Sequence, residues 1–318
     1  MFNNNTESPD CQGIFSVLER LQERKREHSR IAPELIKAFQ DQDHYSEDKE
    51  RRITDCASFI ELTADGKIKS ANFCKNRFCP ICQWRASIKT FGKVAQLQNA
   101  IEADFPQYQF IFVTFTLRNA KKLSEGVQAV LRGFNNLSHD RLFRKVQKGF
   151  IRSVEVTYNA EKESWHPHIH TIIAVAPDYF KEGYLTTEAW KKLWKRAARV
   201  EYSPVVDVRA VHDDKYKAVA EIVKYAVKPF DLKAAQEKLS ALYSELIFCL
   251  RNRRLRSFGG IYKKLAHEIG LTDAPRLEDI TDEAGQIFIY RDSKYKAYSD
   301  GNIIDLESGE VTKRKGEF

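Results

Sequence analysis

Three histidines stand at alternate positions near the middle of the chain: His166, His168 and His170. Side chains alternate between the two faces of a strand, so a strand here would point all three imidazoles to one face. Two neighbouring imidazoles can bind one divalent ion. Glu155 lies in the preceding strand-like segment and would complete an N,N,O set that suits Mg²⁺ or Mn²⁺ acting on a phosphate oxygen. A solvent-facing strand glutamate is the alternative interpretation.

A second group of reactive side chains follows at helical spacing. Glu221 and Tyr225 are four residues apart and Lys228 is three residues further on, so a helix would present all three on one face. The lysine can favour a phenolate, and the glutamate can act as a general base towards water. This is what a tyrosine nucleophile needs, although a tyrosine on a helix more commonly serves packing.

Four cysteines form a third candidate site. Cys74, Cys79 and Cys82 are closely spaced, and a predicted hairpin could bring Cys56 to the same place. Four thiolates suit tetrahedral Zn²⁺ or an iron–sulfur cluster, and a structural zinc ion stabilises a small subdomain that lacks its own core. Unconnected buried thiols are the alternative.

Residues 67–101 carry many basic side chains and no acidic one. Aromatic residues are interleaved with them, and Trp84, Arg85 and Lys89 are the candidates for DNA contact. Such a surface can neutralise phosphates and stack bases. A plain solvated basic face is the alternative.

The elements that must position these groups can be predicted from hydrophobic periodicity. Strands are predicted over residues 108–117, 150–158, 166–176 and 205–211, and helices over residues 123–146, 186–199 and 215–227. A polar turn joins the second and third of these strands as a hairpin. The order β-α-β-β-α-β-α favours an α+β domain with a largely antiparallel sheet.

The composition agrees with a nucleic-acid partner. The 318 residues include 52 Lys and Arg against 44 Asp and Glu, a net charge of +8. No stretch approaches the roughly 18 apolar residues that a membrane-spanning helix needs, and no secretory signal is recognisable. We therefore expect a cytoplasmic protein without membrane contact, whose cysteines are metal ligands or buried thiols rather than disulfides.

Taken together, these motifs resemble those of the HUH endonucleases. The resemblance rests on His-Pro-His-Ile-His after a strand, on the Tyr-x-x-Lys helix with its preceding glutamate, and on Phe-Thr-Leu-Arg-Asn at residues 115–119. The stretch at residues 74–85, in which Cys-Pro-x-Cys-x-Trp-Arg follows a first cysteine, narrows it to plasmid rolling-circle replication initiators of the single-tyrosine class. The similarity spans residues 50 to 262.

The resemblance implies a fold and a mechanism. The fold would be α+β, an HUH-type antiparallel sheet flanked by helices (ferredoxin- or RRM-like), with an inserted or preceding zinc-binding subdomain. His168 and His170 would bind the catalytic Mg²⁺ or Mn²⁺. Tyr225 would attack single-stranded origin DNA extruded in a hairpin, forming a 5′-phosphotyrosine and a 3′-OH that primes leading-strand synthesis. A host helicase and a host DNA polymerase would be the partners. Glu221, in the place of a second tyrosine, would activate water to end the cycle.

Four segments are predicted: a helical extension and linker (residues 1–50), a four-cysteine zinc-binding, DNA-contacting module (51–100), the catalytic domain (101–262) and a C-terminal extension with a hairpin (263–318). An HUH relaxase or transposase would share the chemistry. A histidine-triad nucleotide hydrolase fits the three histidines alone and leaves the cysteines unexplained. A non-catalytic, zinc-containing DNA-binding regulator would bind the origin without cutting it.

Overall fold

The computed structural model describes residues 9–42, 45–212, 214–223, 236–271 and 276–313. The chain divides into two compact units. We call Met1–Ala86 with Arg276–Phe318 the terminal unit, and Ser87–Pro275 the central unit. Within the described residues, no helix is both long and apolar enough to cross a membrane.

The described elements are, in chain order, α1 (Pro9–Gln40), α2 (Glu47–Thr54), β1 (Phe59–Thr63), β2 (Ile68–Ala71), α3 (Pro80–Asp104), β3 (Gln109–Thr116), α4 (Leu123–His139), α5 (Arg141–Val146), β4 (Gln147–Asn159), β5 (Ser164–Val175), α6 (Thr187–Ala198), β6 (Val206–Val211), α7 (Lys215–Val223), a 3₁₀ turn (Gln236–Lys238), α8 (Leu239–Leu250), β7 (Arg256–Gly259), α9 (Gly260–Glu268), β8 (Gly285–Arg291), β9 (Lys294–Ser299), β10 (Asn302–Ile304) and β11 (Val311–Lys313).

The central unit is built on five antiparallel strands in the order β6-β3-β5-β4-β7. β4 and β5 form the predicted hairpin, and its register sets Glu155 opposite His168. The α+β class, with antiparallel sheets flanked by helices, is confirmed. The central strands β3 and β5 are buried along most of their length, and β-branched and aromatic side chains occupy both of their faces.

The two faces of this central sheet have different coverings. Phe115 packs on α4 and α6 through Phe134 and Trp194, with ring centroids 6.0 and 5.0 Å away. On the opposite face, Phe112 and Ile172 belong to a buried apolar core that includes residues of α7 and α9. His168 and His170 share this second face with Ile172, because the three are alternate residues of β5.

The terminal unit contains a second antiparallel sheet, in the order β11-β10-β9-β8-β1-β2. β1 pairs along its whole length with β8, from Phe59 opposite Ile289 to Thr63 opposite Gly285. The strands predicted as a C-terminal extension therefore complete the sheet that begins beside the cysteines.

The prediction of a linker at the end of residues 1–50 is wrong in part, because the structure has a helix there. Residues 47–54 form α2, in which Ser46 caps the helix by accepting a hydrogen bond from the backbone of Lys49 at 3.2 Å. Ile53 is buried and attaches the helix to the unit. The charged composition of this segment concealed a short helix that has an acidic first turn and a basic last turn.

Candidate metal centres

The β4–β5 hairpin brings two histidines and a glutamate to one place. Glu155 Oε2 lies 3.3 Å from His168 Nε2 and 2.8 Å from His170 Nε2. All three residues are buried, with 3% to 8% of their surface exposed. These residues, which we call the His–Glu triad, are the set proposed from the sequence, and their geometry could hold a metal ion.

The hydrogen bond at Nδ1 of each imidazole bears on whether Nε2 carries a free lone pair. His168 Nδ1 lies 3.2 Å from the carbonyl oxygen of His166, which can only accept, so Nδ1 carries the proton. His170 Nδ1 lies 3.1 Å from the hydroxyl of Thr114. A proton on Nδ1 leaves the Nε2 lone pair facing the carboxylate of Glu155, an arrangement that a cation between them stabilises.

The triad fits a hard or borderline divalent ion with open coordination positions. Two nitrogens and one carboxylate are fewer ligands than the six that Mg²⁺ or Mn²⁺ takes. Substrate oxygens and water could therefore complete the coordination.

His166 stands beside the triad rather than in it. Its Nδ1 lies 2.8 Å from Asn119 Oδ1, and Asn119 in turn donates to the hydroxyl of Ser164 at 2.9 Å. Burial lowers the pKa of His166, with a further lowering from His168. Neither Thr114 nor Asn119 was assigned a role from the sequence, because their contacts depend on the register of β3 against β5.

The predicted nucleophile helix is only partly within the described residues. Glu221 is half-buried in the last turn of α7. Ile222 and Val223 beside it pack into the core on the face of the sheet that carries the triad. Tyr225 and Lys228 lie outside the described residues.

The four cysteines converge in the terminal unit. Cys56 Sγ lies 3.6 Å from Cys79 Sγ and 3.7 Å from Cys82 Sγ, and Cys74 Sγ lies 3.6 Å from Cys82 Sγ. Four sulfurs around one tetrahedral Zn²⁺ at about 2.3 Å would be about 3.8 Å apart. Thiolates that share a cluster of several irons stand further apart. The group, which we call the cysteine cage, therefore fits a single tetrahedral ion.

Hydrogen bonds and burial act on the sulfurs of the cage in opposite directions. Backbone N–H groups of Cys74 and Asn76 lie 3.3 and 3.5 Å from the sulfurs of Cys56 and Cys74. Hydrogen bonds from neighbouring thiols lower the pKa of Cys74, whereas burial raises the pKa of Cys79. A bound metal ion would overcome that burial penalty, because a coordinated thiol is deprotonated.

Two buried residues of α1 contact the cage. Lys25, 4% exposed, donates from Nζ to the carbonyl oxygen of Cys56 at 2.5 Å. His28 is fully buried, with Nε2 2.7 Å from the carbonyl oxygen of Ile53 and Nδ1 3.3 Å from Cys79 Sγ. Burial lowers the pKa of both Lys25 and His28. The contact of Lys25 and His28 with the cage could not be predicted from the sequence, because neither residue belongs to a recognised metal-ligand motif.

The three predicted DNA contacts all lie on α3. Trp84 and Lys89 are half-buried. Arg85 is 8% exposed, and its guanidinium donates to the carbonyl oxygen of Leu277 and pairs with Asp279 at 3.1 Å. Arg85 thus ties α3 to the C-terminal part of the terminal unit, and its donors are directed at protein acceptors.

Comparison with known proteins places the chain among replication proteins. The model of a family described as "Replication protein" matches residues 65–300. A "Protein rep" of Streptococcus pneumoniae serotype 2 is 32% identical over 246 residues, covering 72% of this chain and 74% of that protein. A "Protein rep" of Bacillus amyloliquefaciens is 34% identical over 256 residues, covering 71% of this chain and 74% of that protein. A "Protein rep" of Staphylococcus aureus is 30% identical over 218 residues, covering 65% of this chain and 92% of that protein. No solved structure matches the chain.

Proposed function

Since the chain belongs to the replication protein family whose model matches residues 65–300, we propose that it initiates rolling-circle replication by nicking and rejoining single-stranded origin DNA. One observation carries the proposal: the two imidazole nitrogens and the carboxylate of the His–Glu triad converge within 4.8 Å of one another. In a replication protein, such a group supports the proposal because it could hold the divalent ion that metal-dependent phosphodiester cleavage uses.

In this proposal Glu155, His168 and His170 hold Mg²⁺ or Mn²⁺. When bound, the ion supplies Lewis acidity to a non-bridging phosphate oxygen. The hydrogen bonds at His166 O and Thr114 keep Nε2 of both imidazoles directed at Glu155, so that the three residues would hold the ion together.

Tyr225 is the proposed nucleophile. Its phenolate oxygen attacks the scissile phosphorus, a phosphorus–oxygen bond to tyrosine forms, and the bond to the 3′-oxygen breaks. The 3′-oxygen takes up a proton and leaves as a 3′-OH, while the 5′-phosphate stays on the tyrosine. Lys228 favours the phenolate. The reverse attack by a 3′-OH rejoins the strand.

Glu221 is proposed to end the cycle. As a general base it takes a proton from water, and the resulting hydroxide hydrolyses the last phosphotyrosine. The protein then leaves the DNA instead of starting a further round.

The other assignments follow from the same resemblance. The cysteine cage would hold a structural Zn²⁺, and Trp84 and Lys89 would contact origin DNA, including its hairpin. Arg85 is left out of this contact set because its guanidinium binds Leu277 and Asp279. Recruitment of a host helicase and DNA polymerase, a cytoplasmic location, and the division into four functional segments stay predictions.

The test is a covalent trapping experiment. The zinc-loaded protein is incubated with single-stranded oligonucleotides that cover its candidate origin, with and without Mn²⁺, and a protein–DNA adduct is sought on a denaturing gel. We expect an adduct that maps to Tyr225, is abolished in Tyr225→Phe and persists in the control Tyr216→Phe, which removes an exposed hydroxyl at the start of α7.

Other outcomes would change the proposal. Equal cutting by wild type and Tyr225→Phe would remove Tyr225 from the mechanism. Tight origin binding without any cutting under Mn²⁺ would indicate a non-catalytic DNA-binding regulator. In Glu221→Ala, we expect the adduct to accumulate because its hydrolysis is slowed.

A further inference from the structure

Two exposed arginines of the central unit have their guanidinium groups stacked on aromatic rings. The guanidinium carbon of Arg118 lies 4.1 Å from the centre of the Tyr202 ring. That of Arg209 lies 4.6 Å from the centre of the Phe112 ring. Stacking of this kind holds the guanidinium plane in place and leaves its N–H edges available.

Both arginines lie next to the His–Glu triad. Arg118 follows β3, whose Thr116 is opposite His168, and the next residue, Asn119, contacts His166 at 2.8 Å. Arg209 is opposite Phe112 in the β3–β6 register, and the Phe112 ring lies 5.6 Å from the ring of His170. Along β3, Arg118 therefore lies two residues beyond the partner of His168, and Arg209 lies opposite Phe112, two residues before the partner of His170.

The surroundings of these two guanidinium groups favour the binding of an anion that is not part of the protein. Neither forms an ion pair or a side-chain hydrogen bond with another described residue. The backbone N–H of Arg118 donates to the Tyr202 hydroxyl at 3.0 Å, which fixes the ring beneath the guanidinium. Arginines that are preorganised in this way are suited to bidentate contact with phosphate.

We propose that Arg118 and Arg209 bind phosphates of the single strand on either side of the His–Glu triad, so that the strand crosses β3 and β6. This inference rests on the proposed function, because it assigns a path to the substrate of that site. Phosphate contacts fix the register of a strand without reading its sequence. The two arginines would thus hold the scissile phosphodiester at the triad whatever bases surround it.

The experiment separates binding from cleavage. A fluorescein-labelled oligothymidylate is titrated with zinc-loaded full-length protein in the presence of Mg²⁺, and anisotropy is measured over a series of KCl concentrations. We expect Arg118→Gln and Arg209→Gln each to bind several-fold more weakly. Each should also reduce the slope of log K against log salt by about 0.7, the value for one lost phosphate contact on a single strand.

Three further variants test the assignment. Arg144→Gln removes an exposed arginine of α5, on the other face of the sheet, and should retain the wild-type slope. Arg118→Lys keeps the charge and should retain the slope while binding less tightly. Asp207→Asn removes an exposed carboxylate on β6 opposite Thr114 and should tighten binding.

The outcomes distinguish this inference from the function on which it rests. Folded Arg118→Gln and Arg209→Gln proteins, checked by thermal melting, that bind with the wild-type slope would overturn the phosphate contacts while leaving the nicking proposal intact. If wild type forms no tyrosine adduct but the slopes fall as expected, the arginine contacts hold and the nicking proposal fails.

Discussion

The cysteine cage and the His–Glu triad differ most in how many ligands the protein supplies. The cage offers four thiolates, and its sulfurs stand at the separation expected around a tetrahedral ion. The triad offers two nitrogens and a carboxylate, fewer atoms than a divalent ion of the Mg²⁺ type takes. A saturated site serves structure, whereas an unsaturated site has room for substrate.

The two regions also differ in what holds them in place. The triad depends on a single hairpin, and its supporting contacts come from β3 and from the strand itself. The cage joins segments far apart in the chain, since Lys25 of α1 and Tyr295 of β9 donate to the carbonyl oxygens of Cys56 and Ala57. Damage to the cage should therefore disturb a whole unit, and damage to the triad should stay local.

The largest effect is expected from breaking the cage. Cys79→Ser replaces a thiolate with a neutral hydroxyl, a far weaker zinc ligand, and the terminal unit should lose both its ion and its cooperative melting. Zinc content by mass spectrometry and a calorimetric scan measure this. Cys249→Ser, at a buried thiol of the central unit, is the matched control and should keep its zinc. A Cys79→Ser protein with full zinc occupancy and a normal melt would contradict the structural role of the cage.

A more local effect is expected from breaking the triad. Glu155→Gln keeps the shape of the side chain and removes the negative charge, so the fold and the zinc content should be unchanged. Manganese affinity, measured by paramagnetic resonance on zinc-loaded protein, should fall more than about 100-fold, because a direct ligand matters more than an outer contact worth 10–100-fold. Nicking should fall with it.

The control for this variant lies on the same hairpin. Glu163→Gln removes an exposed carboxylate that pairs with Lys238, and it should leave manganese binding unchanged. Equal manganese binding by Glu155→Gln and wild type would show that the triad is not the ion site.

The triad could be predicted from the sequence because its geometry is local. Alternation along β5 puts His168 and His170 on one face, and one hairpin with a short polar turn sets Glu155 opposite His168. The order of strands and helices in the central unit could also be predicted, because the hydrophobic residues of each element recur with the period of a strand or of a helix. Tyr225 and Lys228, read from helical spacing, stay predictions.

The surroundings of the cage could not be predicted in the same way. The pairing of β1 with β8 joins residues 59–63 to residues 285–289, and no periodic pattern encodes a partner at that separation. Arg85 lies in a stretch of the sequence that is rich in basic residues. Its guanidinium nevertheless donates hydrogen bonds to the carbonyl oxygen of Leu277 and to the carboxylate of Asp279, which are 192 and 194 residues away in the sequence. Lys25 and His28 sit among other charged residues of α1, where burial is not visible in the sequence.

The smallest effect is expected at this outer layer of the cage. Four thiolates around a Zn²⁺ ion would leave an excess of negative charge, and the buried ammonium of Lys25 beside Cys56 would offset part of it. In Lys25→Met, which keeps the length and apolar stem of the side chain, zinc transfer to a coloured chelator should be about tenfold faster. Lys37→Met, at an exposed residue in the last turn of the same helix, should transfer zinc at the wild-type rate. If both variants release zinc as slowly as wild type, α1 packs against the cage without affecting how tightly it holds the ion. The cysteine cage and the His–Glu triad would then differ in the number of ligands but not in an outer layer of charge.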